Sequence, residues 1–334
     1  MSGKIAITGA SGHVGYNLVK EIIATGEKPL VINHSQAIPA HLHRMGESIE
    51  VINAKTANPE ICHQALQNVD VIFHTGTSGQ VHNYQNAEEY HHPKEMLEMT
   101  ENLMKAAQEN GVSKFIFFTS VPSGISDPAV EDHDLRNDTE NIRLSYFRGK
   151  IDAESKAQEL SDSLKLPTCF VNSSMIIGPD DYILTPANRF ILDLIKSKLR
   201  ILPRGGFNPV DVRDVAAGLL MVMQRGKEGH RYVFAGDNNL YFREMANHLS
   251  EIRDITIPGK VMSKKTATRL ASVSEWFGTM LGKPAEFSSD LVEDIVERYA
   301  WFDNSVTKEE LGWQPRPLKE TLEETVTFLE KHYV

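Results

Sequence analysis

The chain has 334 residues, 41% of them apolar and 24% charged, with 45 acidic against 35 basic side chains and a formal net charge of −10. That length supports a large core and two lobes, and the acidic balance excludes a general nucleic-acid-binding surface, which needs a basic face. No apolar run reaches the length of a membrane span, and the only two cysteines, Cys62 and Cys169, lie in helical or apolar stretches and read as buried reduced thiols.

A first strand is predicted at Lys4–Thr8, so near the start that no room is left for a signal peptide. A soluble, cytoplasmic protein is the expectation. The strand runs straight into Thr8-Gly9-Ala10-Ser11-Gly12-His13-Val14-Gly15 and then into a helix at His13–Ala24, with Val14, Leu18 and Ile22 on one face. A glycine-rich turn between a first strand and a first helix brings bare backbone up to a pyrophosphate. The helix N-terminus adds free N–H groups and partial positive charge. The glycines are spaced G-x-x-G-x-x-G rather than G-x-G-x-x-G, so position carries more weight here than the motif itself.

Further strands are predicted at 29–32, 49–53, Val69–His74, 114–119 and Thr168–Ser173, alternating with helices at 59–66, 93–110 and 146–164. Helix stops stand at Gly26 and Asn110-Gly111. Several strands are almost wholly apolar, as in a parallel sheet covered on both faces. The alternation predicts an α/β fold, a Rossmann-type doubly wound parallel sheet. After residue 178 the rhythm changes. Helices at 187–198 and 212–224 and a short strand at 232–234 follow, then mostly helical sequence at 267–281, 291–299 and 318–332. Residues 1–178, with interleaved segments near 210–235, are expected to form the dinucleotide-binding domain, and 179–334 a smaller, mostly helical substrate-binding lobe. His41/His43 and His91/His92 lie in polar stretches without a supporting carboxylate pattern. They read as solvated histidines, and no metal site is predicted.

Tyr146 and Lys150 are four residues apart in a predicted helix, hence one turn apart on one face. An ammonium beside a phenol favours the phenolate, and such a tyrosine can exchange a proton with a carbonyl or hydroxyl oxygen while a hydride moves. The glycine loop, Y-x-x-x-K and Ile177-Gly178-Pro179, in that order, resemble the extended short-chain dehydrogenase/reductase (NAD-dependent epimerase/dehydratase) family. Val71-Ile72-Phe73-His74, Phe117-Phe118-Thr119-Ser120, Val210-Asp211-Val212-Arg213-Asp214-Val215-Ala216 and Leu311-Gly312-Trp313-Gln314-Pro315 extend the resemblance over nearly the whole chain. Its nearest branch is the dihydroflavonol-4-reductase-like and hopanoid-associated sugar epimerase-like proteins.

The resemblance implies that Tyr146 is the proton donor or acceptor and that Lys150 holds the nicotinamide ribose and lowers the tyrosine pKa. Gly9, Ser11, Gly12, His13, Val14 and Gly15 would cradle the pyrophosphate. Thr75, Gly76 and Thr77 would line the cofactor, with Asn172, Ser173 and Met175 against the nicotinamide. A homodimer through the helices at 93–110 and 146–164 is also implied.

Four positions depart from the family pattern. Val121 stands where a substrate-binding serine is usual, which leaves Ser120 or Ser123 to replace it; Ser123 is preferred. Asn33-His34-Ser35 ends the second strand without the acid that binds a ribose 2′-hydroxyl, so repulsion of a 2′-phosphate is removed and NADP is favoured over NAD, with Arg44 as a further phosphate partner. Asn53-Ala54 replaces the usual Gly-Asp after the third strand. Met96 replaces an early asparagine in the helix after residue 93 and reads as space filling.

Three functions compete. NADPH-dependent reduction of a small aldehyde or ketone, with Tyr146 as general acid, is preferred. A nucleotide-sugar epimerase or dehydratase that retains NAD would need cations for a diphosphate, for which Arg189, Arg204 and Arg213 are candidates. The altered serine position motivates a non-catalytic dinucleotide-binding sensor, against which the intact Tyr146 and Lys150 count.

Overall fold

The computed structural model describes residues 3–34, 37–76, 93–120, 143, 145–281 and 288–334; the side chains of residues 93, 120, 145, 146 and 276–281 lie outside that description. The first half alternates strand and helix. It runs β1 (Lys4–Thr8), α1 (His13–Ala24), β2 (Leu30–Asn33), α2 (Ala40–His43), β3 (Glu50–Asn53) and α3 (Pro59–Ala65), then β4 (Val69–His74), α4 (Pro93–Glu109), β5 (Lys114–Ser120), α5 (Ser145–Leu164) and β6 (Thr168–Ser173). The chain continues through β7 (Met175–Ile177), α6 (Pro186–Ile195), β8 (Ile201–Pro203), β9 (Gly206–Phe207), β10 (Pro209–Asp211), α7 (Val212–Arg225) and β11 (Arg231–Phe234). The last third holds β12 (Leu240–Tyr241), α8 (Phe242–Ile252), β13 (Lys260–Met262), α9 (Lys264–Leu281), α10 (Ser289–Ile295), β14 (Tyr299–Ala300), α11 (Ser305–Leu311) and α12 (Leu318–Tyr333).

Seven strands form one sheet in the order β11-β6-β5-β4-β1-β2-β3. Every neighbouring pair is parallel. The α/β doubly wound expectation therefore holds. Strand order reverses beside β1, which pairs with β4 on one side and β2 on the other, and in such sheets ligands bind outside the carboxyl ends at that point. Thr8 and His74 are register partners there.

Alternating side chains build two cores. On one face Ile5, Ile7, Phe73, Ile116 and Val171 pack against Leu18 and Ile22 of α1 and Val215 and Leu219 of α7. On the other, Ala6, Ile72, Phe115, Phe117 and Phe170 meet α3, α4 and α5 through Cys62, Leu103, Met104 and Ala157. Cys62 and Cys169 are buried free thiols, as the sequence predicts. Burial pushes each up to about 11.

A third core joins α6, α8 and α12. The segment leading into α12 is tied to α7 by polar contacts: Trp313 Nε1 donates to the Asp214 carbonyl at 2.8 Å, and Arg316 donates to the Asp214 carboxylate from its backbone N–H and its Nε. No helix among the described residues is long and apolar enough to cross a membrane.

Candidate functional site

The glycines of the first loop do different jobs. Gly9 has φ +75°, and a Cβ there would lie 2.5 Å from the backbone of Gly76. A Cβ on Gly15 would lie 2.2 Å from the Gly9 carbonyl oxygen. Both are demanded by the fold. At Gly12 a Cβ would meet only the Gly9 carbonyl, at 3.3 Å. Gly12 is the N-cap of α1 and offers no side chain to the first amides of the helix, which leaves those N–H groups facing whatever approaches. The cradle thus fits the pyrophosphate of a dinucleotide: a helix N-terminus with bare backbone in front of it.

Around this cradle, Val14 is buried in the core and Ser11 lends its carbonyl to His41 Nε2 at 3.1 Å. His13 is buried; its Nε2 donates to the Pro179 carbonyl at 2.8 Å, and its Nδ1 lies 3.9 Å from the Asp181 carboxylate. His41 corrects the expectation of a solvated ring. It is buried, stacked on Tyr182 with centroids 5.1 Å apart, and edge-on to Tyr16. Nothing in its local sequence shows that α2 folds back on the glycine loop. His43 is exposed, and 91–92 lie outside the described residues.

The carboxyl end of β4 closes against the same loop. Thr75 Oγ1 donates to the Thr8 carbonyl at 2.7 Å, and the Gly76 N–H points to Thr8 Oγ1 at 3.4 Å. Next to it Lys150, from α5, is buried, and desolvation pushes its ammonium down to about 7. The backbone of Tyr146 lies one turn before Lys150 on α5. The sheet therefore brings the Y-x-x-x-K helix to the end where the cradle opens. Ser35, Thr77, Val121 and Ser123 lie outside the described residues, and Ser120 is described only as the last residue of β5, in register with Ser173.

Other predicted residues have partners of their own. Asn172 gives its Nδ2 to Glu154 at 3.0 Å and accepts from Arg231 at 2.6 Å. Its amide is thus engaged by α5 and β11. Ser173 Oγ is buried and finds no partner among the described residues, and Met175 packs on the third core. Asn33 donates to Asn53 Oδ1 at 2.9 Å, so two amides close the β2–β3 edge. His34 is exposed, with Nε2 3.8 Å from Glu95 of α4. Arg44 lies over the Tyr182 ring at 5.3 Å. Two of the three arginines considered for a diphosphate are paired: Arg213 with Asp211 and Glu324, and Arg204 with Glu297.

A model of the NAD dependent epimerase/dehydratase family matches residues 5–235. The chain belongs to that family. It is an NAD(P)-dependent oxidoreductase of the extended short-chain dehydrogenase/reductase type. It is 26% identical to a putative dihydroflavonol 4-reductase of Synechocystis sp., over 98% of this chain and 94% of that protein. With 2-alkyl-3-oxoalkanoate reductase of Stenotrophomonas maltophilia it shares 24% identity, over 94% of this chain and 95% of the relative. The crystal structure of gox2253 superposes with a TM-score of 0.84 at 25% identity, covering 99% of both chains.

Proposed function

We propose that this protein is an NADPH-dependent carbonyl reductase acting on a small aldehyde or ketone, with Tyr146 as general acid. The observation that carries this reading is the burial of Lys150 one helical turn from Tyr146, at the sheet end where the Gly12 cradle opens. Residues 1–178 with the 210–235 segment hold the dinucleotide in this reading, and 179–334 shape the substrate pocket.

When bound, the dihydronicotinamide supplies the hydride. The chain's own residues supply the rest. The amides at the start of α1 hold the pyrophosphate, and Gly12 lets it approach. Tyr146 gives its proton to the carbonyl oxygen as negative charge develops there. The Lys150 ammonium, in a site of low dielectric, stabilises the phenolate left behind. Ser123, or Ser120, hydrogen-bonds the substrate oxygen in place of the residue at Val121.

The cofactor assignment rests on the β2 edge. Asn33 and Asn53 satisfy each other and carry no charge, so a 2′-phosphate meets no acid on β2 itself. His34 is exposed, and in this reading it pairs with the phosphate in competition with Glu95. The pairing of Arg204 and Arg213 with carboxylates weighs against a nucleotide-sugar epimerase, which needs free cations for a diphosphate.

The test is NADPH consumption with a panel of small aldehydes and ketones, with Tyr146→Phe in parallel. The variant is expected to lose activity by about 10²–10⁴-fold while dinucleotide binding persists. Full activity in Tyr146→Phe sinks the assignment. Tightly retained NAD in the purified protein points to the epimerase instead, and tighter binding of NADH than NADPH overturns the cofactor choice.

A further inference from the structure

His74 has no task in the proposed function, yet it is buried at the carboxyl end of β4, directly after the apolar residues Val71, Ile72 and Phe73. Its Nδ1 lies 2.7 Å from Thr8 Oγ1, and Phe115 and Phe117 flank the ring with centroids 6.2 and 5.5 Å away. The same ring borders a small cavity of about 10 Å³. Lys150 from α5, Thr100 from α4 and Thr119 from β5 bring polar groups to it, and Met96, Met99 and Ala153 line it as well. A single water needs roughly 10–15 Å³ and two to four polar partners, and these side chains offer them. No carboxylate lines the cavity among the described residues. Neutral polar groups beside a buried ammonium offset part of the hydration it loses.

We propose that His74 is a positioning residue for Lys150: through one water held in this cavity with Thr100 and Thr119, its imidazole keeps the Lys150 ammonium charged and in place. This rests on the assignment of Lys150 and Tyr146 in the proposed function. His74 acts as a fixed neutral dipole. Burial, and secondarily the charge of Lys150, push it down to about 3, so it takes up no proton near neutrality. Among the described residues that line the cavity, Lys150 is the one charged group facing it; Thr8, Thr100 and Thr119 are neutral. The departure at Met96 has a consequence here, since a methionine at that wall leaves the polar role to β4.

The ring nitrogens make the inference separable. Asparagine at position 74 reproduces the Nδ1 side, toward Thr8; glutamine reaches as far as Nε2. The measurement is the ionisation of Lys150, followed by NMR of lysine-labelled full-length protein and assigned with Lys150→Arg. We expect His74→Phe and His74→Asn to lower the midpoint by about one pH unit and His74→Gln to titrate with the wild type. If His74→Phe does not fold, Thr100→Val keeps the ring, removes one partner of the water and is expected to lower the midpoint too. An unmoved midpoint in the folded Phe or Val variant overturns the proposal. So does rescue by Asn without rescue by Gln, which would make His74 a latch to Thr8 alone. The readout is the ionisation of Lys150 itself, so it reports on His74 separately from the activity of Tyr146→Phe. An active Tyr146→Phe sinks the proposed function; an unmoved Lys150 sinks only the role of His74.

Discussion

The two faces of the central sheet are built from the same strands and differ in what they bury. The face under α1 and α7 is close to pure hydrocarbon, with Ile5, Ile7, Ile116, Val171, Leu219 and Phe234 in continuous contact. The face under α4 and α5 starts the same way, with Phe115, Phe117 and Phe170, but at its carboxyl end it takes in His74, Thr100, Thr119, Asn172 and Lys150. One face stores stability. The other gives some up to hold an ammonium in a place where water cannot screen it. Buried groups pushed far from their ordinary protonation are a mark of function for that reason.

The sharpest way to break the comparison is Lys150→Met. It is expected to lower carbonyl reduction by about 10²–10⁴-fold and yet to raise the stability of the cofactor-free protein. The sign follows from proton binding. Lys150 sits at about 7 in the fold against 10.5 for an ordinary lysine, so the unfolded chain binds the extra proton and the fold is penalised below about pH 7. As the pH rises from 7 toward 10.5 the penalty fades. Thermal or urea unfolding at pH 6 should favour the Met variant by roughly 2 kcal/mol or more, and at pH 10 the advantage should be nearly gone. A wild type that is the more stable at pH 6 contradicts the picture.

Leu219→Ala, on the other face, is the counterpart. Leu219 is fully buried in the α1–α7 core, and truncation there should cost about 2–5 kcal/mol in urea unfolding. The Kd for dinucleotide in the folded variant should be unchanged. A large loss of affinity would mean that the two faces are not separable. The smallest effect is expected at Glu95→Gln. Removing the carboxylate beside His34 should tighten NADPH binding several-fold, about 0.5–1 kcal/mol at an exposed site, with little change for NADH. Weaker NADPH binding would show that Glu95 supports the adenosine end.

The fold was legible wherever an element is held by its own pattern. β1, β4, β6 and α1 coincide with the predicted Lys4–Thr8, Val69–His74, Thr168–Ser173 and His13–Ala24, because each is an apolar run or stripe between clear stops. The shortest of the missed elements are of another kind. β9, β12 and β14 have two residues each and exist only because they pair with one another; two residues carry no period. The helix predicted at 291–299 ends at Ile295, because Glu297 takes φ +60° and Tyr299 joins the β9 edge.

At the site, the loop and the Y-x-x-x-K pair were visible as local motifs. His74, His41 and the pair formed by His13 and Asp181 were not. Each depends on two segments far apart in sequence: β4 with α5, α2 with the glycine loop, and that loop with the 178–185 turn. Asn172 shows the converse. Its place on β6 was read correctly, but its amide is claimed by Glu154 and Arg231, partners that only the packing reveals.

The abutment of Gly9 on Gly76 bears on the thermodynamics of ligand capture. Two backbones packed without side chains between them cannot slide independently, so the phosphate cradle is ordered when the protein folds. Ordering a residue costs roughly 1–2 kcal/mol in lost backbone freedom, and here that cost falls on folding rather than on association. Dinucleotide binding should therefore carry little of the entropic penalty that a closing loop imposes, and calorimetry of Gly76→Ala, which loosens the contact, should show that penalty reappear at the binding step.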